Sequence, residues 1–203
     1  MRGSPNFVMW LSVAAFALLS AAAGARVLYP ADDQVLVLSQ ILASPTLDSF
    51  SDYFSVLGEV QYLGAAILVL AAALAATGRQ VLGLRLVVAF AATGLVELAM
   101  KFWLPTVPMP EETRRSFDTT PLVEIAYPYP YPSGHMLRAV VLLGMVFVLW
   151  PSRPIRLAVL ALLAGMATTR VYLGVHWASD LVGGALLGVA GVAWTLKAGT
   201  KRS

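Results

Sequence analysis

Cysteine is absent from this 203-residue sequence, which excludes a disulfide framework and any thiolate nucleophile or ligand. Histidine occurs twice, at His135 and His176. Without an HExxH or CxxC pattern these two assemble no standard zinc site, so neither a metal nor another cofactor is expected. Charged residues make up only 12% of the chain, and the net charge of +3 is scattered over short loops. That pattern does not suit nucleic acid as a partner. No internal repeat is visible. The chain is rich instead in apolar side chains, at 59% of residues with a mean hydropathy of +0.76, which is the composition of a membrane protein. The apolar runs leave no room for a separate soluble module, so residues 1–203 are expected to form one membrane-embedded domain.

A spanning helix needs about 20 mostly apolar residues. Six segments approach this: Phe7–Tyr29, Ser55–Thr77, Val81–Trp103, Met136–Trp150, Ile155–Thr169 and Trp177–Leu196. The fourth and fifth are short and need flanking residues to complete a crossing. The first, with Arg2 ahead of it and small residues at Ala21–Ala25, also has features of a signal peptide, but an even number of spans suits the charges better. The expected fold is all-α, a bundle of six transmembrane helices. Arg2, Arg79, Arg85, Arg153, Arg156, Lys197, Lys201 and Arg202 fall on one side of it, which the positive-inside rule makes cytoplasmic. All eleven acidic residues fall toward the other side, with Arg26, Lys101, Arg114, Arg115, Arg138 and Arg170. The chain is thus expected in the plasma membrane with its polar chemistry at the extracytoplasmic face.

Between the first two spans, Val35, Leu38, Leu42 and Leu47, with Pro45 among them, predict one or two short amphipathic helices lying in the outer interface. The stretch 104–132 holds seven prolines. Its Tyr127-Pro-Tyr-Pro-Tyr-Pro132 run favours extended backbone with tyrosines at headgroup level.

Chemistry concentrates where that run ends. In Tyr131-Pro132-Ser133-Gly134-His135, Ser133 and Gly134 are helix-start residues whose backbone N–H groups point outward to attract an anion, phosphate above all. His135 beside them titrates near neutral pH when unperturbed. Lys101 closes the third span and either pairs with Glu97 one turn earlier or meets a phosphate as a point charge. His176 and Asp180, four residues apart, share a helix face. A carboxylate there accepts one imidazole N–H and leaves the other ring nitrogen as a nucleophile. Ionisable groups near a bilayer are costly and therefore functional candidates.

Lys101, then Tyr131-Pro-Ser-Gly-His135, then Arg170-x5-His176-x3-Asp180 resemble the three-part signature of the type 2 phosphatidic acid phosphatase superfamily, which includes the integral membrane lipid phosphate phosphatases. The resemblance implies that His176 attacks phosphorus to form a phosphohistidine, that Asp180 orients it, and that His135 protonates the leaving oxygen. It also implies that Lys101, Arg170, Ser133 and the Gly134 backbone hold the phosphoryl oxygens without a metal. In one respect the sequence departs from the family: its first block is usually Lys-x6-Arg-Pro, whereas here Pro108 stands where the arginine is expected. Arg138, one helical turn beyond His135, is the expected substitute. Arg114 and Arg115, beside Glu111 and Glu112, are expected to engage in solvated pairing in their loop.

The resulting expectation is metal-independent hydrolysis of a lipid phosphate or diphosphate, with no obligatory protein partner besides the bilayer that holds the substrate. An isoprenoid carrier diphosphate is the first expectation, because such carriers are recycled at the outer face. Phosphatidic acid, phosphatidylglycerol phosphate and lysophosphatidate are the alternatives, as is transfer of the phosphoryl unit to another lipid or glycan. A non-catalytic membrane protein or transporter would carry polar residues deep in several spans. The interiors of the first, second, fifth and sixth carry no charge.

Overall fold

A computed structural model describes residues 4–115 and 126–197, and among these the only regular structure is helical. Arg2, Asp118, Glu124, Lys201 and Arg202, used above in the charge pattern, lie outside the described residues. The described residues form eight α-helices: α1 (Pro5–Gly24), α2 (Tyr29–Gln40), α3 (Pro45–Val56), α4 (Val60–Ala76), α5 (Gln80–Trp103), α6 (Gly134–Leu149), α7 (Arg153–Tyr172) and α8 (Ala178–Leu196). A single 3-10 turn covers Glu111–Thr113.

Local chemistry explains several boundaries. Ser4 caps α1 by accepting the Phe7 N–H at 3.3 Å, and Ser44 caps α3 by accepting that of Leu47 at 3.3 Å. Pro5 and Pro45 follow these caps in the first turn, where a missing N–H costs nothing. Pro45 thus opens α3 while separating it from α2. Arg26 takes a left-handed conformation (φ 60°) and turns the chain out of α1. The first apolar segment therefore divides: α1 ends at Gly24, and Tyr29 begins α2. The second also shifts. Ser55 belongs to α3, and α4 begins only at Val60.

Helices α1, α5, α7 and α8 are each long and apolar enough to cross a membrane. The α3–α4 pair, bent by 41°, makes a fifth if it is one span, while α6 is a shorter apolar helix of 16 residues. Helix α8 is the centre of the bundle, packed against α1, α5 and α6; α4 lies on α5 and α6, and α2 and α3 lie on α7. The outward faces of the bundle expose Trp10, Leu18, Val69, Leu95 and Leu157, as hydrocarbon surroundings favour. In such surroundings helices associate through close packing of small residues more than by expelling water. At Gly184 a side-chain Cβ would run into the Ser133 carbonyl oxygen, so only glycine lets α8 touch the chain just ahead of α6.

The short helix α3 is amphipathic in an unexpected sense. Asp48, Ser51, Asp52 and Ser55 are buried on its inner face, while Leu47, Phe50 and Tyr53 are exposed. Tyr131 also differs from the expected headgroup anchor. It is fully buried, stacks on Phe16 with ring centres 6.1 Å apart, and shares a 2.9 Å hydrogen bond with Ser20 Oγ. Burial pushes its phenol pKa up to about 12, so it remains a neutral partner for that hydroxyl.

Candidate active site

The C-terminal ends of α5 and α7 and the N-terminal ends of α6 and α8 come together on one side of the bundle, bringing Lys101, Ser133 to Arg138, Arg170, His176 and Asp180 into one neighbourhood. The opposite ends of these helices carry Arg79, Arg153 and Lys197. Gly174, with φ 64°, turns the chain between α7 and α8 and lets it approach the Thr113 carbonyl more closely than any side chain would allow. His176 follows in that turn, and Asp180 sits in the first turn of α8.

The two are in contact: His176 Nδ1 lies 3.2 Å from Asp180 Oδ2, which also accepts the Trp177 N–H at 3.0 Å. Both side chains are almost fully buried. If Nδ1 carries the proton, it donates to the carboxylate and Nε2 is left with its lone pair. Burial, and then the charges of Arg170, Lys101 and Arg138, hold the His176 pKa well below the usual histidine range. The ring is neutral at physiological pH, as a nucleophile must be. His135 feels the same three cations and His176, so the two histidines share one electrostatic environment.

Two of the cations flank a carboxylate. Glu97 Oε1 meets Lys101 Nζ at 3.2 Å and Glu97 Oε2 meets Arg138 Nη1 at 3.1 Å. Both expectations for Lys101 are therefore compatible, since its pairing partner lies inside the site. Lys101 also lies 3.8 Å from the centre of the Tyr127 ring. A side chain on Gly134 would collide with Glu97 and Arg138, which places this cluster at the start of α6. Arg170 donates through Nη1 to Ser55 Oγ on α3. Ser133 Oγ, Arg138 Nε and Arg170 Nε are buried without a hydrogen-bond partner among the described residues. Buried polar atoms rarely stay unsatisfied, and an arriving phosphoryl group would supply the oxygens the donors lack.

Two expectations need correction. The Ser133 backbone N–H is not turned toward a ligand: it donates to the Asp180 carbonyl oxygen at 2.9 Å. This bond ties the His135 segment to the His176 segment, and only the Ser133 hydroxyl remains for a substrate. Nor is Arg115 in solvated loop pairing. It forms a two-pronged ion pair with Asp48 (2.7 and 2.9 Å) and donates its backbone N–H to Leu173 O, holding the 104–115 segment against the α7–α8 turn. The hydrogen bonds to Asp48 raise the Arg115 pKa further, and the guanidinium stays charged. Trp177 Nε1 fastens the same segment through Val107 O at 2.7 Å.

Sequence reasoning missed Ser55 and Gly58. A Cβ on Gly58 would collide with the His135 ring, so the α3–α4 bend forms one wall of that side chain's pocket. The spacing of Asp48, Ser51, Asp52 and Ser55 was the available signal for Ser55; nothing comparable marked Gly58. Among the described residues no group of three or more His, Asp or Glu side chains is placed to bind a metal ion.

The model of the PAP2 superfamily matches residues 65–203. The chain belongs to that superfamily. Accordingly it is an integral membrane enzyme and a lipid phosphatase. It is 25% identical over 183 residues to phosphatidylglycerophosphatase B of Bacillus subtilis (strain 168), covering 86% of each chain. Its fold is that of the crystal structure of a transmembrane PAP2-type phosphatidylglycerolphosphate phosphatase from Bacillus subtilis, with a TM-score of 0.76. That likeness extends over 97% of this chain and 98% of the other at 21% identity.

Arg138 pairs with Glu97 beside Lys101, whereas Arg115 is committed to Asp48. In Arg138→Ala, kcat/KM is expected to fall at least tenfold, about 1.4 kcal/mol of transition-state stabilisation. The exposed Arg114, changed to alanine, should cost less; steady-state kinetics on the two proteins decides between them.

Proposed function

We propose that this chain, acting as one membrane-embedded catalytic domain, hydrolyses phosphatidylglycerol phosphate at the extracytoplasmic face without a metal. The observation that carries the chemistry is the buried His176–Asp180 contact, close enough to Arg170, Lys101 and Arg138 for the histidine to feel their charge. His176 Nε2 attacks phosphorus, the P–N bond forms as the P–O bond to the lipid breaks, and His135, protonated once the arriving phosphoryl charge offsets the neighbouring cations, gives that proton to the departing lipid oxygen. Water then attacks the phosphohistidine while His135 takes its proton, and inorganic phosphate leaves with His176 regenerated. Lys101, Arg138, Arg170, the Ser133 hydroxyl and the amide at the start of α6 stabilise the charge on the phosphoryl oxygens, the dominant contribution in such transfers. Glu97 meets Lys101 and Arg138 in the absence of a substrate.

The named activities of the relatives favour phosphatidylglycerol phosphate over the isoprenoid carrier diphosphate first expected. Phosphate release by the detergent-solubilised enzyme, with chelator present throughout, tests this reading. Phosphatidylglycerol phosphate should give the highest kcat/KM in a panel that includes phosphatidic acid, lysophosphatidate and a polyprenyl diphosphate. A polyprenyl diphosphate at the top would overturn the substrate assignment, and a strict divalent-metal requirement would overturn the mechanism.

The sidedness follows from charge, because the helix ends opposite the site carry the basic residues. A cysteine replacing Glu112 should react with an impermeant thiol reagent added to intact cells, and one replacing Arg79 should not. The reverse labelling pattern would put the site on the cytoplasmic face.

A further inference from the structure

A helix start needs an acceptor for its first N–H groups, which is usually a Ser, Thr, Asp or Asn side chain at the N-cap. Helix α8 begins after Trp177, whose side chain offers no such oxygen. The missing acceptor comes from another helix. Asp32, in the first turn of α2, accepts the Ser179 N–H on Oδ1 at 2.9 Å and the Ser179 hydroxyl on Oδ2 at 2.6 Å. It is buried, with 7% of its surface exposed. Ser179 adjoins Asp180, whose carboxylate reaches back in the same helical turn to Trp177 N and His176 Nδ1.

The rest of α2 presses on the same region. Positions 29, 32, 36 and 40 lie along one face of a helix, and each has a partner near the α7–α8 turn. Tyr29 packs edge-on to the Trp177 ring, with centres 5.5 Å apart. Leu36 lies with Val171, Trp177 and Leu181 in a small buried cluster. Gln40 donates its amide hydrogens to Thr113 O and Tyr172 O, both at 2.8 Å. Of these four, Asp32 is the one that hydrogen-bonds to the turn of α8 carrying Asp180.

We propose that Asp32 is a positioning residue for the reacting histidine: it caps α8 in place of the side chain Trp177 lacks, and so keeps Asp180 in register with His176. The inference rests on His176 acting as the nucleophile. Asp32 touches neither the histidine nor the phosphoryl group, so its loss should slow the chemical step and leave substrate binding largely intact. Asparagine keeps a carbonyl oxygen for the Ser179 N–H and is as good a cap as aspartate; it should therefore rescue.

The test compares Asp32→Ala, Asp32→Ser and Asp32→Asn with the native enzyme and His176→Ala in the same detergent. It reads hydrogen exchange at amides 177–181 and the kinetics of phosphate release from phosphatidylglycerol phosphate. Alanine should speed exchange at the start of α8 and lower kcat about ten- to a hundredfold, the scale of a small misplacement of a reacting group. KM should change less than about threefold, the usual sign of an interaction used only in the transition state. Serine, too short to span both contacts, should behave like alanine and stands in if the alanine protein does not fold. Asparagine should restore both readouts. Unchanged exchange in the alanine and serine proteins overturns the capping role, and so does asparagine behaving like alanine. Faster exchange with native kcat, or with only KM raised, overturns the positioning role. Persistent turnover in His176→Ala would instead refute the nucleophile assignment, which the exchange readout does not depend on.

Discussion

Replacing His176 with alanine is expected to abolish both turnover and the trapped phosphoenzyme, because no other side chain stands in the buried contact with Asp180. Asp180 would remain, but a buried carboxylate held by the Trp177 N–H at the start of α8 is not positioned to attack phosphorus. His135→Ala should behave differently. If His135 only moves protons, its loss should slow turnover by about 10²–10⁴-fold while the phosphohistidine still forms. The division of roles has its own test. A substrate whose leaving group departs without protonation should partly restore His135→Ala and leave His176→Ala inactive. Rapid-quench trapping of the phosphoenzyme, with the good and the poor leaving group compared side by side, makes the measurement. Equal rescue of the two proteins would mean that the roles are shared or reversed.

The second large effect is expected far from any ionisable group. Gly184 lets α8 lie directly on the Ser133 carbonyl, and an added methyl would meet backbone that has no easy way to move. The same contact region carries the Ser133 N–H bond to Asp180 O, a backbone link between the two histidine segments. Gly184→Ala should therefore drive His135 and His176 apart, and a displacement on the order of 1 Å at a reacting group costs about 10²-fold. A loss of at least that size in kcat, in protein that remains monodisperse in detergent, is the expected outcome. Gly94 on α5 is the control, since a Cβ there would meet nothing within 4 Å and Gly94→Ala should keep near-native activity. If Gly184→Ala were as active as the control, the close approach of α8 would not be needed for catalysis.

Much of this protein was legible in its sequence. Long apolar runs predict helices because hydrocarbon leaves backbone groups no partner outside the helix itself. The six expected segments overlap α1, α4, α5, α6, α7 and α8 in order, and of these α1, α5, α7 and α8 are each by themselves long and apolar enough to cross a membrane. The His176–Asp180 contact was legible too, for it is local: four residues apart at a helix start, the two side chains have little choice but to meet. The signature blocks identified the family because phosphoryl transfer requires those residue types together.

Other features were decided only by the tertiary structure, and they share a physical cause. A buried polar group must find a partner, but nothing in its own segment says which helix will provide it. Asp32 and Ser179 are 147 positions apart, and Glu97 and Arg138 are 41 apart. Tyr131 had the sequence context of a headgroup anchor, and only its packing on Phe16 and Ser20 makes it a core residue. Helix α3 is the clearest case. Its apolar and polar stripes were both readable, yet which stripe faces inward depended on Arg115 and Arg170 needing Asp48 and Ser55. Sequence alone determined the membrane-spanning character, the family and the His176–Asp180 contact; the cross-helix bonds around this contact came from the packing of α2, α3, α5 and α6 around α7 and α8, because a polar partner is chosen by proximity in space and not by spacing along the chain.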